Sequence, residues 1–143
     1  MKIDYTEKNT IKYTEYYKIP PFSPVICNAT QPEVRFFGIK IDDYHALNVV
    51  TGMLKTIIAV NSPTIWLKGK FKYGKERQTT HLANIHAGDV YCYYSDAYKQ
   101  TVYNIMCTGN YTYCLTKHSR FPISNFNQVV QLIPEAYMVC KAK

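Results

Sequence analysis

The chain has 143 residues, 47% hydrophobic and 19% charged, with seventeen Lys and Arg against ten Asp and Glu for a formal charge of +7. That balance excludes a disordered chain, and no apolar run approaches the ~20 residues a membrane-spanning helix needs, so no membrane partner is expected. The length fits a single domain over 1–143 that buries roughly 68% of its unfolded surface without staples, and the excess positive charge favours polyanionic partners.

Taken from its start, the chain opens with "MKIDYTEKNTIKYTEYYKIPP", which has no apolar signal core. The expected localisation is therefore cytoplasmic, in the producing cell or in an infected host. Pro20, Pro21 and Pro24 remove backbone donors, so residues 1–30 read as a Tyr/Pro-rich arm packed on the domain, at an edge and not in a central strand. "EVRFFGIKI" predicts a strand over about 34–41.

"DDYHALNVVTGMLKTIIAVN" predicts the main amphipathic helix, over 43–60, capped by Asp42 or Asp43. Leu47, Val50, Leu54, Ile57 and Ile58 would form its buried face. Gly52 weakens that helix by roughly 1 kcal/mol relative to Ala. "PTIWLKGKFKYGKER" comes next as a strand over about 64–73, running out into a turn. "GKERQTTHLANIHAG" reads as a loop with one helical turn.

"DVYCYYS", "QTVYNIMCT" and "YTYCLTK" then predict three antiparallel strands. With Gly109 and Asn110 as the hairpin pair, Cys107 would oppose Thr112, and Cys114 would lie diagonally on the same face. Ser124 caps a short C-terminal helix over "NFNQVVQLI", Pro134 stops it, and "EAYMVCK" supplies a last edge strand. The expected fold class is α+β, a mostly antiparallel sheet of about five to six strands with the 43–60 helix on one face.

Two stretches carry candidate sites. Alternation on the 64–73 strand turns Leu67, Phe71 and Tyr73 one way and Trp66, Lys68, Lys70 and Lys72 the other, with Lys75 and Arg77 in the turn beyond. A row of ammonium groups gathers mutually repelling phosphates and releases their counterions, and Trp66 offers a surface on which a base can stack. A wet Lys-rich strand face is the plainer explanation, because lysines also discourage edge-to-edge aggregation. The second stretch is "YCYYSDAYKQTVY", where Tyr91 and Tyr93 share one face. Tyr-rich surfaces of this kind bind proteins, bases or a second copy of the same chain.

No reaction is signalled. His81, His86, Asp89 and Cys92 offer ligand types that zinc accepts, but their spacing fits no compact zinc pattern, so no metal and no cofactor are expected. Five cysteines without a C-x-x-C pair read as reduced, buried thiols. Cys27 has neither a helix start nor a Gly-rich elbow beside it, and no catalytic residue is assigned.

The sequence therefore leans away from an enzyme. It points to a small basic binding module for nucleic acid or a nucleotide, with Trp66, Lys68, Lys70, Lys72, Lys75, Arg77, Tyr91 and Tyr93 as contact residues. The alternative is a protein–protein module of the virus or phage accessory type that inhibits a host protein through its tyrosines. A homodimer fits either reading.

Overall fold

Outside its turns the chain is rich in Val, Ile, Thr, Tyr and Phe, whose branched or planar side chains suit a pleated surface. A computed structural model describes all 143 residues. In chain order the strands are β1 (Lys2–Thr6), β2 (Thr14–Glu15), β3 (Pro24–Cys27), β4 (Phe36–Asp42), β5 (His45–Asn48), β6 (Leu54–Thr56) and β7 (Pro63–Tyr73). They continue with β8 (Gln78–His81), β9 (Val90–Ser95), β10 (Gln100–Cys107), β11 (Tyr111–Cys114), β12 (Ser119–Pro122), β13 (Val129–Ile133) and β14 (Ala136–Ala142). The only helical pieces are two single-turn 3-10 helices, at Tyr16–Lys18 and Leu82–Asn84.

The strands form two sheets. The first runs β1-β14-β7-β3-β4-β5-β6, with β2 also on β7, and the second runs β12-β11-β10-β9-β13-β8. Ile26, Ile39, Leu47, Ile65, Leu67 and Met138 of the first sheet share one core with Val90, Ile105, Tyr113 and Ile133 of the second. Opposed apolar faces of two sheets thus bury each other, which is how an antiparallel sheet with one apolar face is stabilised.

The α+β expectation is overturned, and both expected helices are strands. Residues 43–60 form the hairpin β5–β6. The Asn48 side chain accepts from the Val50 and Thr51 amides and builds the turn. Gly52 closes it at φ +74°, where an added Cβ would lie 2.4 Å from the Met106 carbonyl oxygen. Val49, from the same turn, is fully buried, whereas Val50 and Ile58 of the expected apolar stripe are exposed, Ile58 by 96%. Asp42 caps no helix. It accepts from the Tyr44 amide and pairs with His45.

The expected C-terminal helix is β13, hydrogen-bonded between β8 and β9. β14 is not an edge strand, because β1 lies parallel on one side of it and β7 antiparallel on the other. β3 lies inside the sheet between β7 and β4, with Pro24 at its first residue, where a missing N–H is tolerated.

The outer face of the first sheet is divided. Over β3, β4 and β5 it is roofed by the segment around Tyr16–Ile19 and by Ile57, which enclose Val25, Cys27, Phe36 and Ala46. Beneath that roof lies Lys40, 1% exposed. Its Nζ donates to the Ile19 carbonyl at 2.6 Å, the Tyr16 carbonyl at 3.0 Å and the Asp43 carboxylate at 2.9 Å, and it stands 4.8 Å from the centroid of the Tyr16 ring. One buried charge thereby collects the carbonyls that end the 3-10 turn. Over β7, β14 and β1 there is no roof.

Replacing Lys40 with Met keeps the stem and strands those carbonyls, which predicts a loss of about 2–4 kcal/mol. Urea unfolding should show a lowered midpoint at unchanged slope. A variant as stable as the parent would mean that the roof is held by its apolar contacts alone.

Candidate functional site

The unroofed half of the first sheet presents rungs of outward side chains set by strand register. Lys72 stands beside Tyr137 and Lys2, Lys70 beside Val139 and Asp4, and Lys68 beside Lys141 and Thr6. Alternation on β7 is kept, with Leu67 buried, Phe71 and Tyr73 packed against the core, and Lys68, Lys70 and Lys72 exposed. At the next rung the Lys143 amide donates to the Trp66 carbonyl, and the Lys143 ammonium stands 3.5 Å from the indole centroid.

Charge is unevenly spread along this face. At the Lys72 end Lys2 is held by Glu135 at 2.9 Å, and Tyr137 donates to the same carboxylate. The Tyr137 hydroxyl, and after it Lys2, lowers the Glu135 pKa from its usual value. Toward Trp66 the pairing stops. Lys68, Lys70, Lys72, Lys141 and Lys143 make no ion pair, since the chain's pairs are Lys2–Glu135, Lys18–Glu15, Lys40–Asp43, His45–Asp42 and His86–Asp89.

Two shallow grooves lie at this end. One, of about 330 Å³, has Lys68, Lys70, Lys141 and Thr6 around it, with Gly69 and Cys140 contributing to its lining. The other, of about 570 Å³, is bordered by Trp66, Lys143, Lys12, Lys18 and Tyr13. The indole sits at the margin of the roof, packed on one side against the cluster containing Tyr16 and Val25. A groove of about 640 Å³ elsewhere carries Glu33 together with Arg35 and Lys55, and so gathers no single sign of charge.

Of the residues anticipated from sequence, Trp66, Lys68, Lys70 and Lys72 share this face. Lys75 is exposed but lies in the turn past β7. Arg77 turns away, donating to the Gly74 and Glu76 carbonyls and lying beside the Cys92 thiol. Tyr91 is 2% exposed, with its hydroxyl 2.7 Å from the Thr112 hydroxyl. It packs with Leu82, Ile85, Met106 and Val130 beneath the 3-10 turn on the far face of the second sheet. Tyr93 lies half-buried beside that cluster, which leaves Tyr94 and Tyr98 as the exposed tyrosines of their stretch.

Lys141 and Lys143 join the face without being anticipated from sequence. Their signal is the alternation in "YMVCKAK", which becomes informative only once β14 is known to lie against β7. Lys12, Tyr13 and Lys18 arrive from the N-terminal segment, which no local pattern places there.

His81, His86, Asp89 and Cys92 form no metal cage, and no group of three or more His, Cys, Asp or Glu side chains is placed to hold an ion. His86 is exposed and stands 3.7 Å from Asp89, while Cys92 is buried in the core between the sheets. Comparison of the chain with family models, with curated proteins and with solved structures finds no match.

The thiols are structural. Gly109 and Asn110 both have positive φ, but the β10–β11 turn is three residues long, so Cys107 pairs with Tyr111 and Asn104 with Cys114. That one-residue shift puts Cys107 in the core and Cys114 on the opposite face of the hairpin, against the expectation that they share a face. Burial pushes the Cys27 thiol up to about 12 and those of Cys107 and Cys140 up to about 11. The thiolate is the reactive form and all five thiols are buried, so at pH 8 the folded chain should alkylate slowly and the unfolded chain should react quickly at all five. Peptide mapping after mild oxidation should find no Cys107–Cys114 bond, and finding one would contradict this register.

Proposed function

We propose that this chain is a nucleic-acid-binding module whose contact surface is the unroofed half of the first sheet. The observation that carries the reading is the convergence of Lys68, Lys70, Lys72, Lys141 and Lys143 on one exposed face, none tied to a carboxylate of the chain. Outward side chains on one strand recur about every 6.7 Å, a spacing comparable to that of successive phosphates along an extended strand. Each phosphate neutralised releases condensed counterions, so five such contacts to a single strand would give a log–log salt slope of about −3.5. A cytosolic setting accords with five unpaired thiols. No helix is long and apolar enough to cross a membrane.

One observation favours a second reading. β3 meets β7 only at Ile65 and Trp66, so the stretch from Lys68 to Tyr73 has a strand partner on its β14 side alone. Lysines beside an open edge keep other chains from pairing with it. Substituting Lys68, Lys70 and Lys72 together by Gln separates the readings, because Gln removes charge and keeps a polar edge. For nucleic-acid binding, fluorescence anisotropy with a labelled oligonucleotide should show weaker affinity and a salt slope reduced by about 2 units. Lys55→Gln, on another part of the surface, should change neither. Unchanged affinity and slope in the triple variant, together with new high-mass species on size exclusion, would leave edge protection as the lysines' role.

A further inference from the structure

The groove beside Trp66 carries more than charge. Building on the nucleic-acid reading of the same face, we propose that Trp66 is a stacking platform for an unpaired base, which makes the face selective for single-stranded nucleic acid over duplex.

Trp66 is anchored through its backbone on both sides and through one side of its ring. Its backbone pairs with Val25 of β3 and accepts from the Lys143 amide, and its ring packs partly against the buried cluster under the roof. The ring also borders the 570 Å³ groove, where Lys12, Lys18 and the half-exposed Tyr13 stand around it. A cation already rests on the ring, the Lys143 ammonium at 3.5 Å from its centroid. That contact is weak at an exposed site, about 0.5–1 kcal/mol, so a flat heteroaromatic ring can take its place. The displaced ammonium is then free to meet a phosphate.

Phosphates flanking the stacked base would reach Lys68 and Lys141 one rung along β7 and Lys12 across the groove. Glu15 offers little opposition, being held by Lys18 at 3.6 Å. A duplex cannot use this arrangement, because its base faces are covered by their neighbours and freeing one costs a few kcal/mol. Naked polyphosphate finds the lysines but has nothing to place on the indole.

Trp66 is the one tryptophan in the chain, so its emission reports this groove alone. The intact chain is titrated with oligothymidylate, with an abasic strand of equal phosphate count and with a duplex of equal length, following indole emission and anisotropy together. The expected result is quenching and tightest binding with oligothymidylate, and weaker binding without quenching with the other two. Trp66→Ala should lower the affinity for oligothymidylate about 10- to 100-fold and leave that for the abasic strand unchanged. Trp66→Phe, which preserves the packing under the roof, should fall between the two. Equal affinity for all three probes without quenching would overturn the stacking site while leaving charge-driven binding intact. Absence of binding to every probe would overturn both.

Discussion

The arrangement of this surface depends on one buried ammonium. Lys40 emerges on the outer side of β4, where a charge needs partners, and it finds the carbonyls of Tyr16 and Ile19 with the carboxylate of Asp43. A lysine buried this deeply is tolerable only when its donors are used, so the segment that supplies those acceptors is held over β3, β4 and β5. The roof has a consequence at its margin. It packs Trp66 on one side, stops there, and leaves β7, β14 and β1 bare. The Lys40 charge–dipole contacts, together with the apolar packing of Tyr16, Ile19 and Ile57, thus cover one half of the sheet's outer face.

β7 translates that division into chemistry. Inward positions Ile65, Leu67, Phe71 and Tyr73 join the core between the sheets, with Tyr73 stacked on Tyr103 at 4.0 Å between ring centroids, nearly parallel. The intervening positions have no choice but to point outward, and they are Trp66, Lys68, Lys70 and Lys72. β14 lies beside β7 in a register that brings Lys141 next to Lys68 and Lys143 next to Trp66. Neighbouring strands lie about 4.8 Å apart, so the positive charge forms a patch two strands wide and not a single file. Repulsion within such a patch is moderate because water and salt screen exposed charges, which is why the fold can carry it without internal carboxylates.

The parts of this molecule legible from sequence are those decided by period-two alternation over a few residues. β4, β7 and the run β9–β10–β11 are readable in that way, and so are the three lysines on β7. The 43–60 stretch suggests a helix because Leu47, Leu54 and Ile57 recur at spacings that suit one, while the competing signals are local. Asn48 and Gly52 make a turn, and Val49, Val50, Thr51, Thr56, Ile57 and Ile58 are β-branched residues that pleated strands favour. What tips the balance is tertiary: the tight turn docks on the end of β10, with the Thr108 amide donating to the Gly52 carbonyl. The hairpin at Gly109 departs from expectation by one residue, enough to move both Thr112 and Cys114 to the face opposite Cys107.

The candidate site divides along the same line. Its β7 residues need only alternation, but Lys141, Lys143, Lys12 and Lys18 reach it through pairings between distant parts of the chain, which no window along the sequence contains. Tyr91 shows the converse. Its place in an aromatic run suggests display, yet the 3-10 turn at Leu82–Asn84 and the residues after β12 cover it, and its hydroxyl is spent on Thr112. A tyrosine whose polar end is satisfied internally is a core residue however conspicuous its neighbours are. The same criterion favours the lysine face. Lys68, Lys70, Lys72 and Lys141 are exposed and make no ion pair within the chain, so the proposed contact face lies where the fold leaves these charges unanswered.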